Sequence, residues 1–268
     1  MDLPLIDSFR RPTGRADAAP LTGETIVAGG TWLFSEPQPG ITGLVDLLVL
    51  GWEPVHETPD GLSLAATCTL ARVAALSDTT AWTARPLFRQ CCEALLASFK
   101  IQGVATIGGN ICTSLPAGGL ISLAVSLDAV AVIWTPDGGE YRIPVQDFVT
   151  GVRQNVLRTG EVLRSIEFPA AALNGRTAFR KIALSALGRS GTVIIGRLDP
   201  DVSFTLSVTA GTDRPVVLRF PAAPAPDELS DAIRRIGNWY DDHHGTPDWR
   251  REVSLVLALE VLEELTHA

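Results

Sequence analysis

The sequence predicts an α+β fold in three consecutive lobes, because the pattern of strands and helices changes twice along the chain. Before residue 60, short β-rich stretches alternate with Gly/Pro-rich loops, which is typical of a small α/β lobe. Helical and strand patterns mix over residues 61–172, and from residue 173 several closely spaced strands precede two helices. A chain of 268 residues is long enough to bury a core shared by these lobes.

Charge and hydropathy exclude two classes of partner. The formal net charge is -8 and the chain has no Lys/Arg-rich run, which argues against binding to nucleic acid. The N-terminal residues lack the apolar core of a signal peptide. The longest apolar stretch, residues 120–134, includes Asp128 and is too short to span a bilayer. We therefore expect a cytoplasmic protein without a membrane span.

The first lobe is predicted to contain two strands. Residues 24–28 form a short β-rich stretch that leads into a glycine turn. Residues 44–50 are a continuous apolar run broken only by Asp46, which predicts a buried strand. Residues 35–43 contain two prolines and two glycines, so we expect a loop between these strands.

The second lobe mixes helices with a hairpin. Pro86 lies near the first turn of a predicted helix, where its missing N–H costs nothing. A Pro-Asp-Gly-Gly turn joins the two strands of the hairpin. The predicted helices are residues 69–76, 85–99 and 120–127, and the predicted strands are residues 62–66, 129–135, 140–145 and 161–168.

The third lobe is predicted to be an antiparallel meander followed by helices. Short Gly, Asp and Pro turns separate its strands. Thr246 is a suitable N-cap for the last helix, with Pro247 at its first position. The predicted strands are residues 177–184, 192–198, 202–209 and 216–220, and the predicted helices are residues 227–236 and 249–265.

The sequence shows no metal site and no catalytic side-chain set. Cys68, Cys91, Cys92 and Cys112 include no C-x-x-C pair, so neither zinc nor an iron–sulfur cluster is supported. Cys91 and Cys92 fall on the apolar stripe of a predicted helix, which favours buried reduced thiols. The adjacent histidines 243 and 244 cannot share one face of a helix or strand, so we interpret them as loop residues.

Two Gly-Gly turns are the strongest functional signal. Residues 28–31 are Ala-Gly-Gly-Thr and residues 106–110 are Thr-Ile-Gly-Gly-Asn. Glycine adopts positive φ easily and lets a backbone or a phosphate approach closely, and successive N–H groups in such a turn form an anion site. One such turn could bind nothing, but two of them indicate loops that grip one dinucleotide. Neither fits G-x-G-x-x-G, so a Rossmann NAD site is not indicated.

These turns belong to a longer series of motifs. In chain order, they are Arg-Pro at 11–12, the turn at 28–31, Leu-Val-Asp-Leu at 44–47, the turn at 106–110, Ser-Leu-Pro at 114–116, Leu-Asp-Ala at 127–129, Gly-Glu-Val-Leu at 160–163 and Phe-Arg-Lys at 179–181. A series of motifs in this order resembles the FAD-binding subunit of molybdenum hydroxylases, such as the medium subunit of carbon monoxide dehydrogenase and the FAD domain of xanthine dehydrogenase. The resemblance covers nearly the whole chain.

The resemblance implies a two-lobed FAD-binding domain, with subdomains at residues 1–60 and 61–172. A C-terminal domain at residues 173–268 would hold a three- to four-stranded antiparallel sheet and a helical bundle. The two turns would hold the pyrophosphate, and the flavin ring would lie near the C-terminal lobe. The implied cofactor-binding residues are Val27, Ala28, Gly29, Gly30, Thr31, Trp32, Leu33, Ala105, Thr106, Ile107, Gly108, Gly109, Asn110, Ser114, Gly119, Leu120, Leu163 and Lys181.

The resemblance also implies an oxidoreductase that works within a hetero-oligomer. FAD on this chain would take electrons from 2Fe-2S clusters on a small subunit, which receive them from a molybdenum cofactor on a large subunit, and would pass them to an external acceptor. This chain would supply no catalytic side chain and no metal ligand. Two alternatives remain, a flavin-free scaffold subunit and a stand-alone flavin oxidoreductase that uses NAD(P)H.

Three residues and one short segment leave questions open. The resemblance expects an Asp where Gly119 stands, so a polar contact to the cofactor is missing. Trp32 can flank the ligand or pack between lobes. Lys181 can stabilise negative charge on the reduced flavin or be a solvated strand residue. An acidic residue is also expected in the region that reads Arg-Ser-Gly-Thr at 189–192.

Overall fold

The computed structural model describes Leu3 and residues 5–267. It confirms the α+β class. The strands are β1 Ser8–Arg10, β2 Glu24–Val27, β3 Gly43–Asp46, β4 Val55–Thr58, β5 Gly61–Ala65, β6 Val130–Trp134, β7 Glu140–Pro144, β8 Val149–Gly151, β9 Gln154–Asn155, β10 Val162–Pro169, β11 Arg176–Ile182, β12 Thr192–Leu198, β13 Phe204–Thr209 and β14 Val216–Phe220. The helices are α1 Leu70–Thr79, α2 Pro86–Glu93, α3 Phe99–Gln102, α4 Ile107–Thr113, α5 Gly119–Ser126, α6 Val145–Phe148, α7 Ala170–Leu173, α8 Pro226–Arg234 and α9 Pro247–His267.

The N-terminal sheet is parallel, with the strand order β1-β3-β2. The predicted strand over residues 44–50 is wrong in its second half, because β3 ends at Asp46 and a 3-10 helix follows at Leu47–Leu50. The Asp46 carboxylate accepts a hydrogen bond from the N–H of Leu48 at 2.9 Å, which caps that turn. The parallel strands β2 and β3 therefore end side by side, at Val27 and Asp46, and the loop after β2 starts at this end of the sheet.

The central sheet is antiparallel, in the order β4-β5-β10-β6-β7. The predicted hairpin is present as β6 and β7, and the predicted strand at residues 161–168 is present as β10. Helices α1, α2, α4 and α5 contribute to the largest apolar core together with the inward faces of β5, β6 and β10. Each Å² of apolar surface that this core removes from water stabilises the fold by roughly 25 cal/mol.

The single helix predicted over residues 85–99 is wrong. Helix α2 ends at Glu93, and Leu96 adopts a left-handed conformation with φ of 52°. The chain then restarts as α3, whose N-cap Ser98 accepts from the N–H of Ile101 at 3.4 Å. The break turns Phe99 out of the predicted apolar stripe, and this side chain is 80% exposed.

The C-terminal sheet is the predicted meander, in the order β11-β12-β13-β14. Helices α8 and α9 share a core with its outer face. Thr246 does accept from the N–H of Trp249 at the start of α9, at 3.4 Å. The guanidinium of Arg197 joins this sheet to the end of α5, because it donates to Ser126 O at 2.6 Å and to Asp128 Oδ2 at 2.5 Å. Within the described residues, no helix is long and apolar enough to cross a membrane.

Candidate cofactor site

A cavity of about 760 Å³ opens where the N-terminal sheet, the central helices and the C-terminal sheet meet. Its walls are the loop after β2, the start of α4, residues 94–97 after α2 and the start of β10. Arg189 and Ser190, from the β11–β12 connection, complete it. A mostly apolar cavity of this volume with a few polar groups is typical of a cofactor or small-molecule site.

The loop after β2 offers free hydrogen-bond donors to the cavity. The backbone N–H groups of residues 29–33 donate to no group among the described residues, and neither does the hydroxyl of Thr31. Gly30 has a φ of 67°, which glycine adopts without strain. A Cβ on Gly29 would overlap the carbonyl oxygen of Val104, so this loop packs directly on the segment that leads to α4. The result is a row of unpaired amides suited to an anion.

The second glycine turn is instead the start of helix α4. Its N-cap Thr106 accepts from the N–H of Gly109 at 3.1 Å. Ile107 and Gly108 donate their N–H groups to the carbonyls of Cys68 and Ala66, both at 2.9 Å. The backbone amides here are therefore used within the fold and are not available to a phosphate.

The second turn contributes to the cavity a side-chain donor, on Asn110, and a stretch of exposed backbone at Gly109. Asn110 Oδ1 accepts from the N–H of Leu120 at 3.1 Å, which holds the amide group in place, while its Nδ2 donates to no described residue. A Cβ on Gly109 would meet only Thr106 Oγ1, at 3.1 Å, so this face of the helix is bare backbone. A ligand can approach α4 closely at this point.

The structure brings most of the predicted residues to the cavity and leaves five away from it. Ile107 and Leu120 are fully buried in the central core. Ser114 donates to Ile111 O at 3.0 Å and is also buried. Those that line the cavity are Val27, Ala28, Gly29, Gly30, Thr31, Trp32, Leu33, Ala105, Thr106, Gly108, Gly109, Asn110 and Leu163. Those that do not are Ile107, Ser114, Gly119, Leu120 and Lys181.

Gly119 serves the packing of two helices. A Cβ at this position would overlap the carbonyl oxygen of Cys91, because α5 starts directly against α2. The Asp that the resemblance expects here does not fit this backbone. The contact between α5 and α2 thus explains the glycine at position 119. An Asp side chain, with the cofactor contact that the resemblance expects from it, is excluded because its Cβ would overlap Cys91 O.

Lys181 lies behind the cavity wall. Its Nζ donates to the carbonyl of Ala94 at 3.3 Å, and burial lowers the pKa of its ammonium group. Ala94 itself lines the cavity. In this conformation the lysine supports the wall that a ligand touches.

Other lining residues were not predicted. Glu161 is buried, and its Oε2 accepts from the Tyr141 hydroxyl at 2.9 Å and from the N–H of Arg158 at 2.8 Å. Burial, reinforced by Glu161, raises the pKa of Tyr141 to about 12. Burial also raises the pKa of the Cys112 thiol to about 12, so that thiol is neutral at physiological pH. Glu161 belongs to the Gly-Glu-Val-Leu motif at 160–163, but its place in the cavity was not predicted, because its partner Tyr141 comes from a separate strand.

Trp32 lines the cavity and also contacts an arginine. The guanidinium of Arg153 lies 5.6 Å from the centre of its ring, and this arginine pairs with Glu36 at 3.6 Å. The contact with Arg153 agrees with packing between lobes, and a contact of Trp32 with a ligand stays a prediction. Such a cation–π contact stabilises an exposed ring by about 0.5–1 kcal/mol and fixes its orientation.

Comparison with known proteins identifies the family. Residues 11–171 match the model of the FAD binding domain in molybdopterin dehydrogenase, which is more than half of the chain. The chain belongs to this family of FAD-binding oxidoreductase domains. The match includes the loop after β2, α4 and β10, which form most of the cavity.

Individual relatives agree with this assignment. Xanthine dehydrogenase/oxidase of Gallus gallus is 28% identical over 134 residues, which are 46% of this chain and 10% of that protein. The nicotinate dehydrogenase FAD-subunit of Eubacterium barkeri is 30% identical over 120 residues, 41% of this chain and 40% of that one. The chain thus spans well under half of the length of these curated relatives.

A solved structure shares the whole fold. A chain of the reconstituted CO dehydrogenase from Oligotropha carboxidovorans superposes with a TM-score of 0.84, covering 99% of this chain and 100% of that one. At 21% sequence identity, this likeness shows the fold. The α+β architecture predicted from the sequence is therefore the fold of this CO dehydrogenase chain.

Proposed function

We propose that this chain is the FAD-binding, electron-transfer subunit of a molybdenum hydroxylase. The observation that carries the proposal is the row of free amides at residues 29–33, which faces a cavity of about 760 Å³ within the matched FAD-binding domain. FAD, when bound, supplies the redox chemistry, and the protein supplies position and electrostatics.

The chain's own groups fit two parts of such a ligand, its pyrophosphate and its flavin ring. The amides of residues 29–33 and the hydroxyl of Thr31 donate to phosphate oxygens, and the Nδ2 of Asn110 adds a donor from the opposite wall. Hydrogen bonds to a charged group contribute about 1.5–3 kcal/mol each. The apolar wall at Ala94, Leu95 and Leu163 suits a flat ring and excludes water from it.

We infer that the metal centres of the complex lie on partner subunits. Among the described residues, no group of His, Cys, Asp and Glu is placed to hold a metal ion. Burial raises the pKa of the Cys91 thiol far above its usual value, which disfavours the thiolate that a cluster needs. We infer that a small 2Fe-2S subunit delivers electrons and that a large molybdenum-cofactor subunit oxidises the substrate. Four unpaired cysteines support a cytoplasmic location for the complex.

Reconstitution with FAD tests the binding step. The purified chain is expected to retain or take up one FAD per chain, measured from flavin absorbance after denaturation. Thr31→Asp places a carboxylate beside the phosphate donors and is expected to abolish uptake. Thr150→Asp is the matched control, because Thr150 is exposed on β8 and outside the cavity. A wild-type chain that stays colourless in excess FAD would contradict the proposal.

Co-purification tests the partners. A tagged full chain is expected to isolate a large subunit that contains molybdenum and a small cysteine-rich subunit that contains iron, measured by mass spectrometry and metal analysis. If the chain binds FAD, isolates alone and is reduced directly by NAD(P)H, the stand-alone oxidoreductase is correct instead.

A further inference from the structure

The charged side chains that line the cavity differ in whether they have a partner. Glu24 forms a two-point ion pair with Arg10, with Nε and Nη2 at 2.7 and 2.6 Å from its oxygens. Glu161 is held by the Tyr141 hydroxyl and a backbone amide. Arg189 also lines the cavity, but it forms no hydrogen bond or ion pair with any described residue.

The position of Arg189 is fixed by its neighbours, although its side chain is exposed. The connection between β11 and β12 is closed by hydrogen bonds from Gly191 N to Ile182 O at 2.8 Å and from Gly188 N to Ser185 O at 2.9 Å. Ser190 is buried next to Arg189 and lines the same cavity. An anchored backbone thus places an arginine without a described partner in the cavity lining.

The two ends of the cavity suit different parts of the ligand. The free amides of residues 29–33 favour the phosphates near the N-terminal sheet. The apolar wall at Ala94 and Leu95 suits the ring, and it adjoins the C-terminal sheet, because Lys181 of β11 bonds to Ala94. The connection after β11 contributes Arg189 and Ser190 to the same lining. Lys181, which was expected to face the ring, donates to Ala94 O behind the wall.

We propose that Arg189 stabilises the negative charge of the reduced flavin ring and thereby raises its reduction potential. The inference rests on the proposed function. Near neutral pH, reduction adds two electrons and one proton to the ring, and one negative charge remains on the N1 and C2-carbonyl edge. A guanidinium stays protonated at this pH and attracts that charge.

Sulfite measures the same stabilisation without electron transfer. Its sulfur lone pair forms a bond to N5 of the oxidised ring, and the displaced electron pair leaves a negative charge on the N1 and C2-carbonyl edge. The experiment determines the Kd of sulfite and the midpoint potential of bound FAD in wild type, Arg189→Gln and Arg189→Lys. Arg235→Gln is the charge-matched control, because Arg235 is exposed after α8 and does not line the cavity.

We expect sulfite affinity and midpoint potential to fall only when the positive charge at residue 189 is removed. In Arg189→Gln, the Kd of sulfite rises about tenfold and the potential falls by about 30 mV, the equivalent for a two-electron couple. Arg189→Lys and Arg235→Gln stay close to wild type.

Two results would overturn the inference while leaving the proposed function intact. One is an Arg189→Gln variant that binds FAD with unchanged sulfite Kd and potential. The other is loss of FAD from Arg189→Gln, which would assign the guanidinium to the phosphates instead of the ring. Failure of the wild-type chain to bind FAD is a separate result and contradicts the proposed function itself.

Discussion

The two Gly-Gly segments are similar in sequence, but their backbone amides differ in whether they have hydrogen-bond partners within the chain. In the first, the amides of residues 29–33 are unpaired and face the cavity. In the second, the amides of Ile107, Gly108 and Gly109 are all bonded within the chain, and the glycines let α4 approach its neighbours. A Gly-Gly pair therefore marks close approach, and only the hydrogen-bond partners show whether the approaching group is a ligand or the protein itself.

A large expected effect concerns the packing of the second segment. In Gly108→Ala, the new Cβ would lie 2.5 Å from the Cβ of Ala66, and the backbone on both sides is fixed. We expect a loss of about 1–3 kcal/mol in the free energy of unfolding, measured by urea denaturation. Gly109→Ala is the matched control and should cost at most about 1 kcal/mol, because its Cβ would meet only the capping hydroxyl of Thr106, at 3.1 Å. Equal destabilisation of both variants would contradict the packing role of Gly108.

The next effect concerns the side-chain donor of the second segment. Asn110→Asp keeps an oxygen for the N–H of Leu120 but replaces the Nδ2 donor by negative charge. We expect FAD binding to weaken by about 1.5–3 kcal/mol, as measured by calorimetric titration. Unchanged affinity would show that Asn110 serves only the start of α5.

A smaller effect tests the first segment. Thr31→Val removes one hydroxyl donor and leaves the amides of residues 29–33 in place, so FAD affinity should fall by about 1.5 kcal/mol. The free energy of unfolding without FAD should not change, because the hydroxyl has no partner in the described chain. Thr150→Val, outside the cavity, should change neither quantity.

The smallest expected effect tests whether Thr106, in the second segment, caps helix α4 or contacts the ligand. Thr106→Val removes the oxygen that accepts from Gly109 N and should reduce the free energy of unfolding by about 1 kcal/mol. FAD affinity, measured at a temperature where the variant is folded, should change little. A large loss of affinity at full stability would make Thr106 a ligand contact.

The sequence predicted those parts of the fold that local patterns determine. The β6–β7 hairpin, the four-stranded meander and the Thr246 cap follow from alternation, turn residues and capping, and each is present. Two errors came from single residues. Asp46 ends β3 by capping the next turn, and the left-handed Leu96 breaks a helix whose apolar stripe looked continuous.

The site was predictable only where the contact is local in sequence. The loop after β2 carries its own signal in its glycines. Gly119 and Lys181 depend on Cys91 and Ala94, residues of another segment, and no local pattern reveals those contacts. Arg189 stood out only as a departure from the resemblance, and its place at the cavity mouth required the tertiary structure.

A crystal structure of the chain with FAD tests the central claim most directly. The account predicts pyrophosphate oxygens about 3 Å from backbone nitrogens of residues 29–33, with α4 contributing Asn110 Nδ2. It also predicts that the amides of residues 107–109 keep their present protein partners. A pyrophosphate bound by those α4 amides, with residues 29–33 away from the ligand, would contradict it.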